Sequence, residues 1–241
     1  MKKIFAIAGS VIRELLRRKD FYIILVLLLV IVVYAGSFSF GGQTGFVRYF
    51  KEIVISMAYI FSVIIAVTFA SREIPYEMES KNIYCILARP IGRGSFLAGK
   101  FLGVAAISAI SLALFYGVFV VSLVIRKDFS TSWTLIFEGF YLQMLLLFFI
   151  SSVSVFLSLF LTPSANISVS LLLYFSSSWF GISTPGYMFL PHMELFDIKE
   201  KIIHTQEIVP GWVILLLSLY AACYVLLFLY LGYLVFRKRD L

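Results

Sequence analysis

The chain has 241 residues, 61% of them hydrophobic and 14% charged, with 25 Phe, 14 Tyr and 3 Trp, and its mean hydropathy is +1.00. Soluble domains carry about 45–50% apolar and about 25% charged residues, so a water-soluble enzyme and a disordered chain are both excluded. A polytopic helical membrane protein remains, and its formal charge of +7 then speaks to orientation in the bilayer, not to nucleic acid.

Residues 1–20 come first. Met1-Lys2-Lys3 and the short apolar run after it resemble a signal peptide, but Arg13-Glu14-Leu15-Leu16-Arg17-Arg18-Lys19 follows and leads directly into a full span, as no cleaved leader requires. Ile4, Ile7, Ala8, Val11, Ile12 and Leu15 recur at helical steps with Lys3, Arg13 and Arg17 off that stripe. This predicts an interfacial helix with its apolar face in the inner leaflet and its basic residues at anionic lipid.

Six stretches then approach the length of about 20 apolar residues that a crossing needs: 21–40, 53–70, 101–125, 140–161, 166–182 and 211–236. Between the second and third lies the longest polar connection, 71–100. Pro75 suits the first turn of a short helix with acidic residues at its start, and Ile74, Met78 and Ile83 form an apolar edge beside Glu73, Glu77 and Glu79. Pro90, Gly92 and Gly94 end that segment. Such a helix, held out from the membrane, is a surface for a partner.

Gly94 to Lys100 spells G-x-x-x-x-G-K, followed by Phe101. A phosphate loop needs a Ser or Thr after the Lys to bind magnesium, and a strand before the glycines. Both are missing, so ATP hydrolysis is not expected of this chain. Gly99-x-x-x-Gly103 instead predicts close approach of two helix backbones.

The fourth stretch carries Gln143, its largest polar group, and Ser151, Ser154 and Ser158 at steps of three and four; the fifth carries Ser168, Ser170 and Ser176-Ser177-Ser178. Residues of this kind join packed helices by hydrogen bonds, or line a path for a polar substrate. Of these, Gln143, Ser151, Ser154, Ser158 and Ser177 are the pathway candidates. Thr162-Pro163-Ser164-Ala165 is read as the turn between the two stretches, with Ser164 or Asn166 capping the helix that restarts. In the loop 183–210, His192 and His204 stand twelve residues apart among Met188, Met193, Glu194, Asp197, Glu200 and Glu207, without the compact spacing of a metal site. Cys85 falls in a polar loop and Cys223 in mid-span, so no disulfide framework is predicted.

All 20 basic and 13 acidic side chains lie outside the six stretches. Ionisable groups at the bilayer centre cost about 2.5–3.5 kcal/mol on insertion scales and persist where ion or proton coupling needs them. A proton- or sodium-coupled carrier is therefore not expected, and the energy must come from elsewhere. Six Lys and Arg precede the first span, five lie in 71–100 and three end the chain, against two in each of the other long connections. The more basic side is read as cytoplasmic, which puts both termini inside.

The run S-R-E-I-P-x-E-x-E-S-K from Ser71, then L-A-R-P-I-x-R and F-L-x-G-K-F-L-G, resembles the signature loop of ABC-2-type permeases, the membrane subunits of ATP-driven exporters. The likeness extends over essentially the whole length and is nearest to the branch labelled multi-copper enzyme maturation permeases. It implies one all-α domain over 1–241 in a bacterial or archaeal cytoplasmic membrane. Its parts would be an interfacial helix at 1–20, six spans, a cytoplasmic coupling helix between spans two and three, and an external loop at 183–210. It also implies two copies of a separate ATPase subunit that bind the ATP and magnesium, so that this chain needs no cofactor. A second permease, identical or homologous, and an extracytoplasmic accessory protein complete the implied partners, with no nucleic acid among them. Carried onto this chain, the ATPase-docking role falls to about Glu73–Lys81, on Glu73, Ile74, Glu77, Met78 and Lys81; where the family commonly has Gly-Thr after the acidic cluster, this chain has Ser80-Lys81-Asn82. The alternative is a membrane anchor that transports nothing and passes force from an ATPase to an extracytoplasmic partner.

Overall fold

The computed structural model describes residues 2–37, 44–79, 92–125, 132–179, 192–204 and 207–238. Helix α1 covers Lys2–Leu16, α2 Lys19–Ser37, α3 Thr44–Glu79, α4 Arg93–Ile125, α5 Trp133–Leu157, α6 Pro163–Trp179, α7 Lys199–His204 and α8 Gly211–Lys238. A 3-10 turn at Met193–Phe196 precedes α7, and no strand occurs among the described residues. Helices α3, α4, α5 and α8 are long and apolar enough to cross a membrane, which makes the chain a multi-pass helical membrane protein. The apolar described part of α2, Phe21–Tyr34, is shorter, and α6 at 1.5 Å per residue reaches roughly 26 Å.

Helices α3, α4 and α5 bury half or more of their apolar length and form the middle of the bundle, whereas α8 buries little. On its packed side α8 sets Tyr224 and Phe228 against Phe149 and Phe156 of α5, with ring centroids 4.9 Å apart for Tyr224–Phe149 and 5.7 Å for Phe228–Phe156. Leu215, Leu219, Leu226 and Tyr230 on its other side are exposed, as are Ile23, Val26, Val30 and Val33 of α2. Lipid tails cover such surfaces at no cost, because hydrocarbon is as apolar as leucine.

The structure corrects three expectations. The segment after residue 70 is not a separate short helix. Helix α3 runs on through Pro75 to Glu79, although proline removes one ladder hydrogen bond. Ala70 and Ile74 are buried there, and the next turn is held by ion pairs to α4, so the helix persists. The apolar face of α1 does not lie in the lipid: Ala8, Val11 and Leu15 are buried, and the helix packs along the start of α4. Asn166 caps nothing. Helix α6 begins at Pro163, the backbone N–H of Asn166 donates to Thr162 O at 2.9 Å, and the Asn166 side chain is buried inside the bundle. Thr162, whose carbonyl accepts the first helical bond, holds the capping position.

Candidate functional site: the junction around Lys100

The first turns of α4 are the meeting point of four helices, and the run that resembled a phosphate loop makes the contacts. Arg93 Nη1 donates to the carbonyls of Phe236 and Arg237 at 3.0 and 2.8 Å, closing the C-terminal end of α8 with a cation where the helix dipole favours one. Phe96 stacks on Phe236 with centroids 5.8 Å apart. Gly99 and Gly103 lie against α1 so closely that a Cβ at Gly103 would stand 2.6 Å from Val11 Cβ, and one at Gly99 2.9 Å from Ile7 Cβ. The predicted close approach is therefore present, and α1 is the helix that makes it.

Lys100 points the other way, into α3. Its Nζ donates to Glu73 Oε2 at 2.8 Å and also pairs with Glu77 Oε1. Glu73 and Glu77 are one helical turn apart and share a face of α3, so one ammonium bridges both. Glu73 and Lys100 are each 2% exposed. In so dry a place the attraction is strong, but so is the cost of stripping water from the charges, and the arrangement holds only while all partners stay. Glu73 Oε1 has no hydrogen-bond partner among the described residues. Helix α1 joins the same corner: Arg18 pairs with Glu14 at 3.0 Å, and its guanidinium lies 5.5 Å over the Tyr76 ring. With its ammonium engaged twice inside a helix, Lys100 is in no phosphate-binding geometry.

The residues assigned to docking are thus divided. Glu73 and Ile74 are interior, Glu77 is mostly covered and paired, Met78 is half-buried, and Lys81 lies outside the described residues. The surface of this segment belongs instead to Tyr76 and Glu79, which charge patterning had passed over in favour of the first two glutamates. Beside them a groove of about 250 Å³ separates Pro75, Met78 and Glu79 from the turn at 158–163. Phe160 in that turn is 59% exposed.

The pathway candidates lie deeper. Gln143, Ser151 and Ser154 are fully buried, and Ser158 and Ser177 nearly so. Ser158 and Ser177 turn their hydroxyls back onto their own helices, to Val155 O and Tyr174 O. Gln143 Nε2 reaches Ser62 Oγ on α3 at 3.2 Å and Tyr59 O at 3.5 Å. Ser154 Oγ faces Val67 O on α3 at 3.5 Å and Asn166 Oδ1 on α6 at 3.4 Å, while Asn166 Nδ2 donates to Ser154 O at 2.9 Å. Ser62, Asn166 and Ser170 complete this group, and nothing but their polarity in an apolar stretch marks them in the sequence.

At the opposite end of the bundle, the 3-10 turn and α7 fold onto α3 and α5. Phe196 and Ile202 are fully buried, and Ile202 sits where a Cβ on Gly139 would stand. Val209 N donates to Glu138 Oε2 at 3.1 Å, and His192 N donates to the Tyr220 hydroxyl at 3.1 Å. No three His, Cys, Asp or Glu side chains converge among the described residues.

Residues 21–241 match the model of a family described as a protein of unknown function, DUF2705, and the chain belongs to that family. No curated protein matches it.

Proposed function

We propose that this member of the DUF2705 family is the membrane subunit of an ATP-driven transporter, an exporter by its likeness to ABC-2-type permeases, in a bacterial or archaeal cytoplasmic membrane. With α2 and α6 counted among the crossings it has six spans, and both termini lie on the side of the Lys100 junction. The motor is a separate ATPase, present in two copies below a pair of permease subunits. The observation that carries the reading is the groove between the end of α3 and the 158–163 turn, lined in part by Phe160, which is exposed, with Tyr76 exposed on the same helix end. It sits on a helix end held by α4 and by Arg18 in the link between α1 and α2, so a load applied there passes beyond α3. Coupling of this kind is mechanical, through contacts that differ between two states of the bundle.

The docking contacts in this reading are Tyr76, Met78 and Glu79 with the 158–163 turn; Glu73, Glu77 and Ile74 hold that surface in place from behind. Glu79→Arg combined with Phe160→Asp is expected to abolish retention of the ATPase in a mild-detergent pull-down, with insertion and yield unchanged. Absence of any ATPase with the unaltered protein, or its normal recovery with the double variant, would refute the proposal. The close packing of Gln143, Ser151 and Ser154 favours a second reading, an anchor that binds the ATPase but conducts nothing. Both readings need the motor.

A further inference from the structure

Hydrogen bonds divide the bundle unevenly. Helix α3 is tied to α4 by the Tyr59–Tyr116 hydroxyl pair at 2.9 Å and by Lys100. Helix α5 is tied to α6 by Asn166 Nδ2 to Ser154 O at 2.9 Å, and to α8 by Tyr141 and Ser218 at 2.9 Å. Between α3 and α5 several of the polar contacts are long. Tyr59 Oη reaches Gly139 O at 3.5 Å, Gln143 Nε2 reaches Ser62 Oγ at 3.2 Å and Tyr59 O at 3.5 Å, and Ser154 Oγ reaches Val67 O at 3.5 Å. Those at 3.5 Å contribute little, and the Gln143–Ser62 bond is at the long end of the ordinary range.

Two groups on α5 are not satisfied at all. Gln143 Oε1 and Ser151 Oγ are buried and have no partner among the described residues, and both residues are fully covered. An orphaned amide in an apolar interior is destabilising, and apolar side chains of the same shape would suit this state as well or better. From Gly139 to Ser154 the polar line covers roughly 22 Å of helix at 1.5 Å per residue, most of the hydrocarbon depth of about 30 Å. One end lies under Ile202 and Phe196, and the other adjoins the turn at 158–163. No residue from Gly139 to Ser154 is charged, and the nearest acids, Glu138 and Asp197, stand at the α7 end.

We infer that the α3–α5 seam is the path of this transporter, shut in this state and opened when α3 with α4 moves away from α5 with α6, and that its substrate presents uncharged hydrogen-bonding groups such as hydroxyls or amides. The inference rests on the transport reading above. In the parted state Gln143, Ser151, Ser154 and Ser62 meet water or substrate, which is what their poor satisfaction here prepares. Ions are poor candidates, because between its ends the seam offers no opposite charge to offset their desolvation. The short 3-10 turn and α7 close one end, so opening includes lifting Ile202 off Gly139.

The test uses the full-length chain in intact cells and in inside-out vesicles, with Cys85→Ser and Cys223→Ser as background. Ser62→Cys, Ser154→Cys and Ser111→Cys are introduced singly and treated with a charged, membrane-impermeant methanethiosulfonate. Ser111 on α4 is equally buried but bonds its own helix at 2.8 Å, away from the seam. The mixed disulfide that forms, with release of the sulfinate, persists while no thiol reductant is added, so a small open population accumulates label. Ser62→Cys and Ser154→Cys are expected to react while Ser111→Cys does not. Labelling of none, or of all three alike, would overturn the inference. Adding Gln143→Leu to Ser154→Cys is expected to leave the thermal transition unchanged or raised, and to slow labelling about fivefold through loss of one neutral hydrogen bond in the open state. Unchanged labelling would also count against it. The ATPase pull-down is scored separately: a shut seam with the ATPase retained leaves the anchor reading standing, and loss of the ATPase removes both readings.

Discussion

Lys100 holds two carboxylates of one helix face in a largely covered place, so the three side chains act as a unit. Lys100→Met takes the ammonium away from buried Glu73 and mostly covered Glu77 and is expected to cost about 3–5 kcal/mol. Glu73→Gln keeps Lys100 paired with Glu77 and removes an oxygen that already lacks a partner, so its cost is expected to be about 1 kcal/mol. Thermal unfolding in detergent micelles orders the two, and equal losses would mean that the three groups do not work as a unit. Replacing all three, with Leu at both glutamates and Met at the lysine, is expected to be milder than Lys100→Met alone, because no charge is then left stranded. Of these residues the sequence displayed the charges and the one-turn spacing of the glutamates. It did not display the partner, because Lys100 approaches only after α3 and α4 have packed.

Among the helices, α1 depends most on a few atoms. Gly103 is in direct contact with Val11, so Gly103→Ala pushes a methyl group into a branched side chain on the facing helix, an overpacking expected to cost about 1–3 kcal/mol. Val11→Ala in the same chain is expected to recover part of that loss, since it vacates the space. Trypsin cleavage at Arg13 and Arg17 reads the result: faster in Gly103→Ala, and slowed again in the double variant. A cleavage rate untouched by Gly103→Ala would show that α1 is held by other means. Arg93 is the second such device. Its bonds to the last carbonyls of α8 explain why a helix so little buried can still end in the same corner as α4.

Across the whole molecule, the bundle has two unlike ends. At the Lys100 end, α1, α3, α4 and α8 are joined by ion pairs, a stacked ring pair and a capping arginine; at the other, short elements cover α3 and α5 mainly with apolar side chains. The placement of Lys and Arg is the ground on which the first end is proposed to be cytoplasmic. Reporter fusions after Ser37 and after Leu241 check this: the first is expected outside and the second inside. Both on one side would mean an even number of crossings between them instead of the five proposed, and would overturn the six-span reading.

Composition and hydropathy by themselves determined the class, since 61% hydrophobic residues leave no aqueous fold open to this chain, and apolar runs marked where the helices lie but not their ends, since Thr44–Glu79, Arg93–Ile125 and Trp133–Leu157 each begin well before the apolar run. Local pattern also marked the glycine pair, because a small residue every fourth position has one main use in packed helices. Tertiary structure alone decided which charges are surface and which interior. Glu73, Glu77 and Glu79 look alike along the chain, yet two face Lys100 and one faces outward, a difference set by how α3 is rotated against its neighbours. It also decided that Gln143 and Ser154 face α3 across weak contacts while Ser158 and Ser177 bond their own helices, because the partner of a buried polar group is fixed by the packing of whole helices and not by its neighbours in sequence.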